Sequence, residues 1–171
     1  MYEKQPTTYL ASAVDYELAF DKTASPNVFA RPKQVEHTLN IQLGQPEFGP
    51  IIELVEYQQS QSKTYLVVTL QWQALTPIPA DFWDFVHLIN PQNGMTVSQS
   101  DQRPDCGNSP TYTWMSGQTI TDRHLLLLND SIQKGEYRLI TGLYLPKQQI
   151  RLRHLDEQNH DFVELSPIGI K

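Results

Sequence analysis

Strict alternation of apolar and polar residues, repeated down most of the chain, is what most restricts the folds open to this sequence. In VEHTLNIQL, Val35, His37, Leu39, Ile41 and Leu43 fall on every second position, the period of a strand with one face buried and the other wet. Similar runs recur at Val14 to Phe20, Ile51 to Tyr57, Thr64 to Gln73, Phe82 to Ile89 and Met95 to Ser100. Others follow at Gln118 to Leu128, Glu136 to Tyr144, Gln149 to Leu155 and Asp161 to Leu165. No stretch carries a convincing helical period. Turn formers separate the runs: Gly44-Gln45-Pro46, Pro77-Ile78-Pro79, Asn90 to Gly94, Lys134-Gly135 and Pro146-Lys147. Asn93 and Gly94 both tolerate positive φ and predict a tight hairpin between Ile89 and Met95. Nine or ten short strands with turns between them predict an all-β fold, a two-sheet antiparallel β-sandwich of immunoglobulin-like or jelly-roll type. The sequence does not choose between the two. Residues 35–171 make up the expected sandwich; 1–34, with Pro6, Pro26 and Pro32 around one strand, read as an N-terminal arm or edge strand.

The 171 residues are one domain's worth of chain, able to bury about 70% of the unfolded surface without a disulfide or metal. A net charge of -6 gives no counterion-release drive toward phosphate backbones or anionic lipid, so no nucleic-acid partner is expected. The longest apolar runs, such as Leu125 to Leu128, fall far short of the roughly 20 residues that span a bilayer, so no direct membrane insertion is expected either. One cysteine, Cys106, rules out an internal disulfide and any multi-thiolate metal site. Asp15, Glu17 and Asp21 interrupt the only candidate export-signal core, which places the protein in the cytoplasm if the chain is complete.

Two places carry polar residues in unusual settings. In the run Phe82 to Ile89, Trp83, Phe85, His87 and Ile89 share a face, and in Gln118 to Leu128, Ile120, Asp122, His124, Leu126 and Leu128 share one. His87 and Asp122 therefore form a candidate buried polar pair, fit for a metal ligand, a proton shuttle or a structural hydrogen bond. The structural role is the commoner one. The second place is the long unpatterned stretch Asp101 to Gly117; loops of that length in a compact domain are usually functional or disordered. Trp114 and Tyr112 are candidates to stack on a sugar ring there, with Asp101, Arg103 and Asn108 taking its hydroxyls. Against this, an indole in such a loop often caps the end of the sandwich instead. Trp72 and Trp83, within strands, are expected in the core.

Catalytic signatures are absent. Cys106 has no patterned histidine beside it, and the chain has no nucleophile elbow, phosphate loop, dinucleotide fingerprint or zinc-protease motif. Asp101, Asp105 and Asp122 are the carboxylates from which a hydrolytic pair would have to come. Arg151 and Arg153 share a strand face and, with Arg138, make a candidate anion site, though a solvated face is the commoner outcome.

From Thr64 to Leu152 the order of motifs adds a further indication. The run is Leu70-Gln71-Trp72-Gln73-Ala74, Phe85-Val86-His87-Leu88, Asn90-Pro91-Gln92-Asn93-Gly94, Gln99-Ser100-Asp101, and Trp114-Met115-Ser116-Gly117. It continues with Ile120-Thr121-Asp122-Arg123, Gly135-Glu136-Tyr137-Arg138-Leu139, Gly142-Leu143-Tyr144 and Arg151-Leu152. This order resembles the C-terminal β-sandwich accessory domain of bacterial membrane glycosyltransferases of the protein-mannosyltransferase type. The resemblance implies an all-β fold and a non-catalytic accessory role in handling cell-surface sugars on the extracytoplasmic side. The first fifty residues match that pattern poorly, and no membrane-spanning stretch is present. Among the matched residues, His87, Asp101, Trp114, Asp122 and Arg123 are the polar or loop-placed ones. The expectation is a glycan-binding module with no catalytic residue, cofactor or metal. The alternatives are a structural or protein-interaction domain, and a metal-dependent hydrolase that needs His87, Asp101 and Asp122 to converge.

Overall fold

A computed structural model of the chain describes residues 35–155 and 159–171. The expected strand at Val14 to Phe20, and with it the N-terminal arm, lies outside the described residues. Among the described residues ten strands run in chain order, beginning with β1 (Val35–Gln45), β2 (Gly49–Gln61), β3 (Tyr65–Ala74), β4 (Trp83–Ile89) and β5 (Thr96–Gln102). They are followed by β6 (Thr119–Leu127), β7 (Gly135–Leu145), β8 (Ile150–Arg151), β9 (Arg153–His154) and β10 (Val163–Ile170). One sheet has the order β6-β3-β2-β1-β9; the other has β10-β7-β4-β5, with β8 added on β7. Every pairing is antiparallel. The protein is an all-β sandwich of two such sheets. The chain leaves the first sheet after β3, makes the β4–β5 hairpin in the second, and returns as β6 beside β3.

The alternation read from the sequence decides which side chains meet between the sheets. Leu66, Val68, Leu70, Trp72 and Ala74 of β3 are all at 0% exposure, facing Val86 and Leu88 of β4 and Leu139 and Leu143 of β7 within one apolar core. In β2 a bulge between Leu54 and Glu56 shifts the parity, so Tyr57 continues the buried set that Ile52 and Leu54 begin. The β4–β5 hairpin forms as expected, with Asn90 N–H donating to Met95 O at 2.9 Å and Gly94 at φ +71°.

Two expectations need correction. The run Gln149 to Leu155 is not one strand: β8 pairs with β7 in the second sheet and β9 with β1 in the first, with Leu152 buried at the crossover. Arg151 and Arg153 therefore belong to different sheets and do not share a strand face, while Arg138 is held by Glu164 at 2.7 Å. The second correction concerns β4. It is a central strand covered on both faces, so the set Phe85, His87 and Ile89 lies on the outer face of the second sheet. There Phe85 and Ile89 pack with Ile140 in a small cluster of their own.

Candidate functional site

Because β4 carries apolar residues on both faces, its one inward acid is unusual. Asp84 points between the sheets, where it meets Asp122 and His124 of β6; all three are buried, at 0%, 1% and 0% exposure. His124 Nε2 lies 2.9 Å from Asp122 Oδ2 and 3.2 Å from Asp84 Oδ2. These are ion-pair distances, but the ring N–H is aligned for a hydrogen bond with neither oxygen, and Asp84 Oδ1 likewise has no hydrogen-bond partner.

Neighbouring strands supply the rest of the shell. Trp72 Nε1–H donates to Asp84 Oδ2 at 3.1 Å, and the Gln102 amide donates to both Asp122 oxygens at 2.8 and 3.0 Å. The Asp105 backbone N–H reaches Asp122 Oδ1 at 2.8 Å, and His124 Nδ1 lies 3.0 Å from Ser100 Oγ. The short 3-10 turn Asp105–Gly107 lies beside β6 to make this contact, with Asp105 at φ +54° and Cys106 at φ +52°. Two consecutive non-glycine residues in the left-handed region cost about 1–3 kcal/mol each.

Burial pushes the Asp84 carboxyl up to about 7, the attraction of His124 opposing it only in part. Burial also acts to raise Asp122, but the close His124 ring and its charge, the neighbouring Asp84 carboxyl and the Gln102 amide hold it well below the ordinary carboxylate range. For His124 burial favours the neutral ring, yet the Asp84 and Asp122 carboxylates at ion-pair distance outweigh it and raise it to about 10. The three groups thus share protons as one unit.

The expected pairing of His87 with Asp122 is not made, because His87 faces outward from the second sheet while Asp122, on β6 of the first, faces the core between the sheets. His87 Nε2 instead meets Asp101 of β5 at 3.1 and 3.2 Å on the outer face. His87, Asp101 and Asp122 therefore do not converge. Around the His87–Asp101 pair opens a cleft of about 340 Å3 lined by His87, Gln99, Asp101, Tyr144, Gln149 and Arg151. Of the lining residues, Arg151 stacks its guanidinium over the buried Phe85 ring at 4.5 Å from the centroid, and Tyr144 lies edge-on to that ring at 6.1 Å. Arg151 also lies 3.7 Å from Asp161.

Trp114 does not serve as an exposed stacking platform. It is 3% exposed, part of the core, and its indole N–H is directed at the carbonyl and hydroxyl oxygens of Ser109, each 3.0 Å away. The loop around it is tied down by the buried Thr111, whose hydroxyl donates to Ala80 O and accepts from Phe82 N–H. Tyr112 is 58% exposed, Asn108 is exposed, and Arg103 pairs with Asp81 at 2.6 Å. Of the expected ligand-binding residues, Asp101 alone lines the cleft.

Asp84 was missed in the sequence although it was visible there as the one charge on a face with Val86 and Leu88. His124 was visible as the residue two after Asp122 on the same apolar face. The fold and site together define a two-sheet β-sandwich with a sealed polar centre between the sheets and an open polar cleft on one of them. No family model, curated protein or solved structure matches the chain.

Proposed function

We propose that the protein is a non-catalytic binding module whose ligand, a neutral saccharide, occupies the cleft on the outer face of the second sheet. The observation that carries this reading is the chemistry of the cleft. A space of about 340 Å3 is within the range that holds small ligands, and its walls mix donors and acceptors. Arg151 donates, Asp101 offers carboxyl oxygens as acceptors, and Gln99, Gln149 and Tyr144 do both. That mixture suits hydroxyl groups, which donate and accept together, better than an anion or an apolar ring. With Arg151 facing Asp101 and Asp161, the cleft carries no strong charge of one sign. The likeness in motif order to glycosyltransferase accessory domains makes saccharides the first class to test.

The test is titration of the isotopically labelled protein with a panel of neutral oligosaccharides, followed by NMR. Binding is expected to shift the resonances of His87 and Tyr144, and Arg151→Ala and Gln99→Ala are each expected to weaken it by about 5- to 20-fold, the worth of one or two hydrogen bonds. A sugar whose affinity ignores both substitutions would overturn the assignment to this cleft. A folded protein indifferent to the whole panel leaves a structural or protein-interaction domain, a reading favoured by Leu125 and Leu127, exposed at 48% and 67% on the edge strand β6.

A further inference from the structure

The sealed centre has a feature that hydrogen bonding within the chain does not explain. Partners on neighbouring strands hold all three side chains: Trp72 holds Asp84 Oδ2, Gln102 and the Asp105 N–H hold Asp122, and Ser100 faces His124 Nδ1. These partners orient the side chains so that His124 Nε2 and two carboxylate oxygens turn toward one another. At the middle, His124 Nε2 lies between Asp122 Oδ2 and Asp84 Oδ2 with no aligned hydrogen bond, and Asp84 Oδ1, wholly buried, has no hydrogen-bond partner. A buried polar atom without a partner costs about 1–3 kcal/mol; Asp84 Oδ1 is such an atom, and beside it one imidazole nitrogen is crowded by two carboxylate oxygens, an arrangement that points to a missing cation. We propose that Asp84, Asp122 and His124 bind one divalent first-row metal ion of the zinc type, which clips β4 of one sheet to β6 of the other.

The geometry agrees. One ligand atom from each residue lies within 4.8 Å of the others. Zinc bonds of about 2.0–2.2 Å to nitrogen and oxygen place tetrahedral ligand atoms about 3.4 Å apart. The contacts of 2.9 and 3.2 Å made by His124 Nε2 reach that by opening a few tenths of an ångström. Two carboxylates and an imidazole suit Zn2+, Mn2+ or Fe2+, and disfavour soft ions that need sulfur. The shell has the form a metal centre requires, with the far ring nitrogen of the histidine and the carboxylates each held by a second partner. With all three residues sealed from water the ion is structural, since a catalytic centre keeps a position open to substrate.

The probe is Zn2+ itself, with Co2+ as its coloured substitute. The full chain is treated with chelator, then given metal both while folded and during refolding, so that a closed site cannot hide the result. One equivalent of Zn2+ is expected to bind and, at a hundredfold excess over Kd, to raise Tm by about 5–10 °C. Co2+ is expected to give the visible absorption of a low-coordinate oxygen and nitrogen site. Asp84→Asn keeps an acceptor for Trp72 and is expected to weaken binding at least about 100-fold, whereas His160→Ala, an exposed histidine, leaves it unchanged. Should Asp84→Asn fail to fold, native mass spectrometry of the wild type decides. Absence of stoichiometric metal and of any Tm shift in the wild type, or metal held equally well by Asp84→Asn, would overturn the proposal.

Discussion

Three ionisable side chains within the apolar core make the pH dependence of this protein unusual at the scale of single residues. In the chelator-treated protein Asp84 has a folded pKa of about 7 against an ordinary value of 3.8, and His124 one of about 10 against 6.5. Both raised values mean that the folded state holds a proton which the unfolded state has released. Stability therefore falls as pH rises, through about 4 to 7 for Asp84 and 6.5 to 10 for His124. Asp122 has the opposite sign: its lowered pKa contributes stability present above about 4 and lost as pH falls below that. The groups that face the triad are Trp72 on β3, Ser100 and Gln102 on β5, and the Asp105 N–H; Cys106 nearby is itself pushed up by burial and by the carboxylates of Asp122, Asp105 and Asp84. Metal-free protein is thus expected to be most stable near pH 4–5 and to lose stability steadily toward pH 8. Urea unfolding at four pH values measures this, and Asp84→Asn should flatten the limb between pH 4 and 7. A stability flat from pH 5 to 9 in the wild type would refute the account.

At the scale of strands, the cleft depends on one glycine as much as on its polar lining. Gly142 of β7 lies opposite Phe85 of β4, and a Cβ there would meet the Phe85 ring at 2.9 Å. The ring can lie down on the sheet and carry the Arg151 guanidinium only because that position is bare. Gly142→Ala is expected to cost about 1–3 kcal/mol through overpacking and to weaken saccharide binding with it, since displacing the Phe85 ring shifts the Arg151 guanidinium that stacks on it and lines the cleft. Thermal unfolding and NMR titration read the two effects; an unchanged cleft in the variant would show that the ring has room to move. Much of this element level was legible beforehand. The inward set Ile120, Asp122, His124, Leu126 and the outward set Phe85, His87, Ile89 follow from period 2 alone. What period 2 does not say is which face of a doubly covered strand looks into the core. His87 and Asp122 were therefore paired across a sheet that separates them. Nor does alternation reveal that Gln149 to Leu155 crosses between sheets, because Leu152 reads as one more buried strand residue when it is the point of passage.

On the scale of the whole molecule, the hairpin β4–β5 serves both sites at once, one on each face. Asp84, Ser100 and Gln102 turn inward to the sealed centre, while His87, Gln99 and Asp101 turn outward to the cleft. Trp114 belongs to the core and lines neither. Removing its side chain should therefore separate stability from binding, because sites that share no partners act independently. Trp114→Ala is expected to cost about 3–5 kcal/mol of stability, as truncation of a buried indole does, and to leave the saccharide affinity of the folded protein within about twofold of the wild type. Denaturant unfolding gives the first quantity and NMR titration at low temperature, where the variant is folded, gives the second. If the folded variant lost saccharide binding while Arg151→Ala kept it, the ligand would sit on the 101–117 loop, through Tyr112, Arg103 and Asn108. The sheet cleft would then be no more than a gap between β5 and β8.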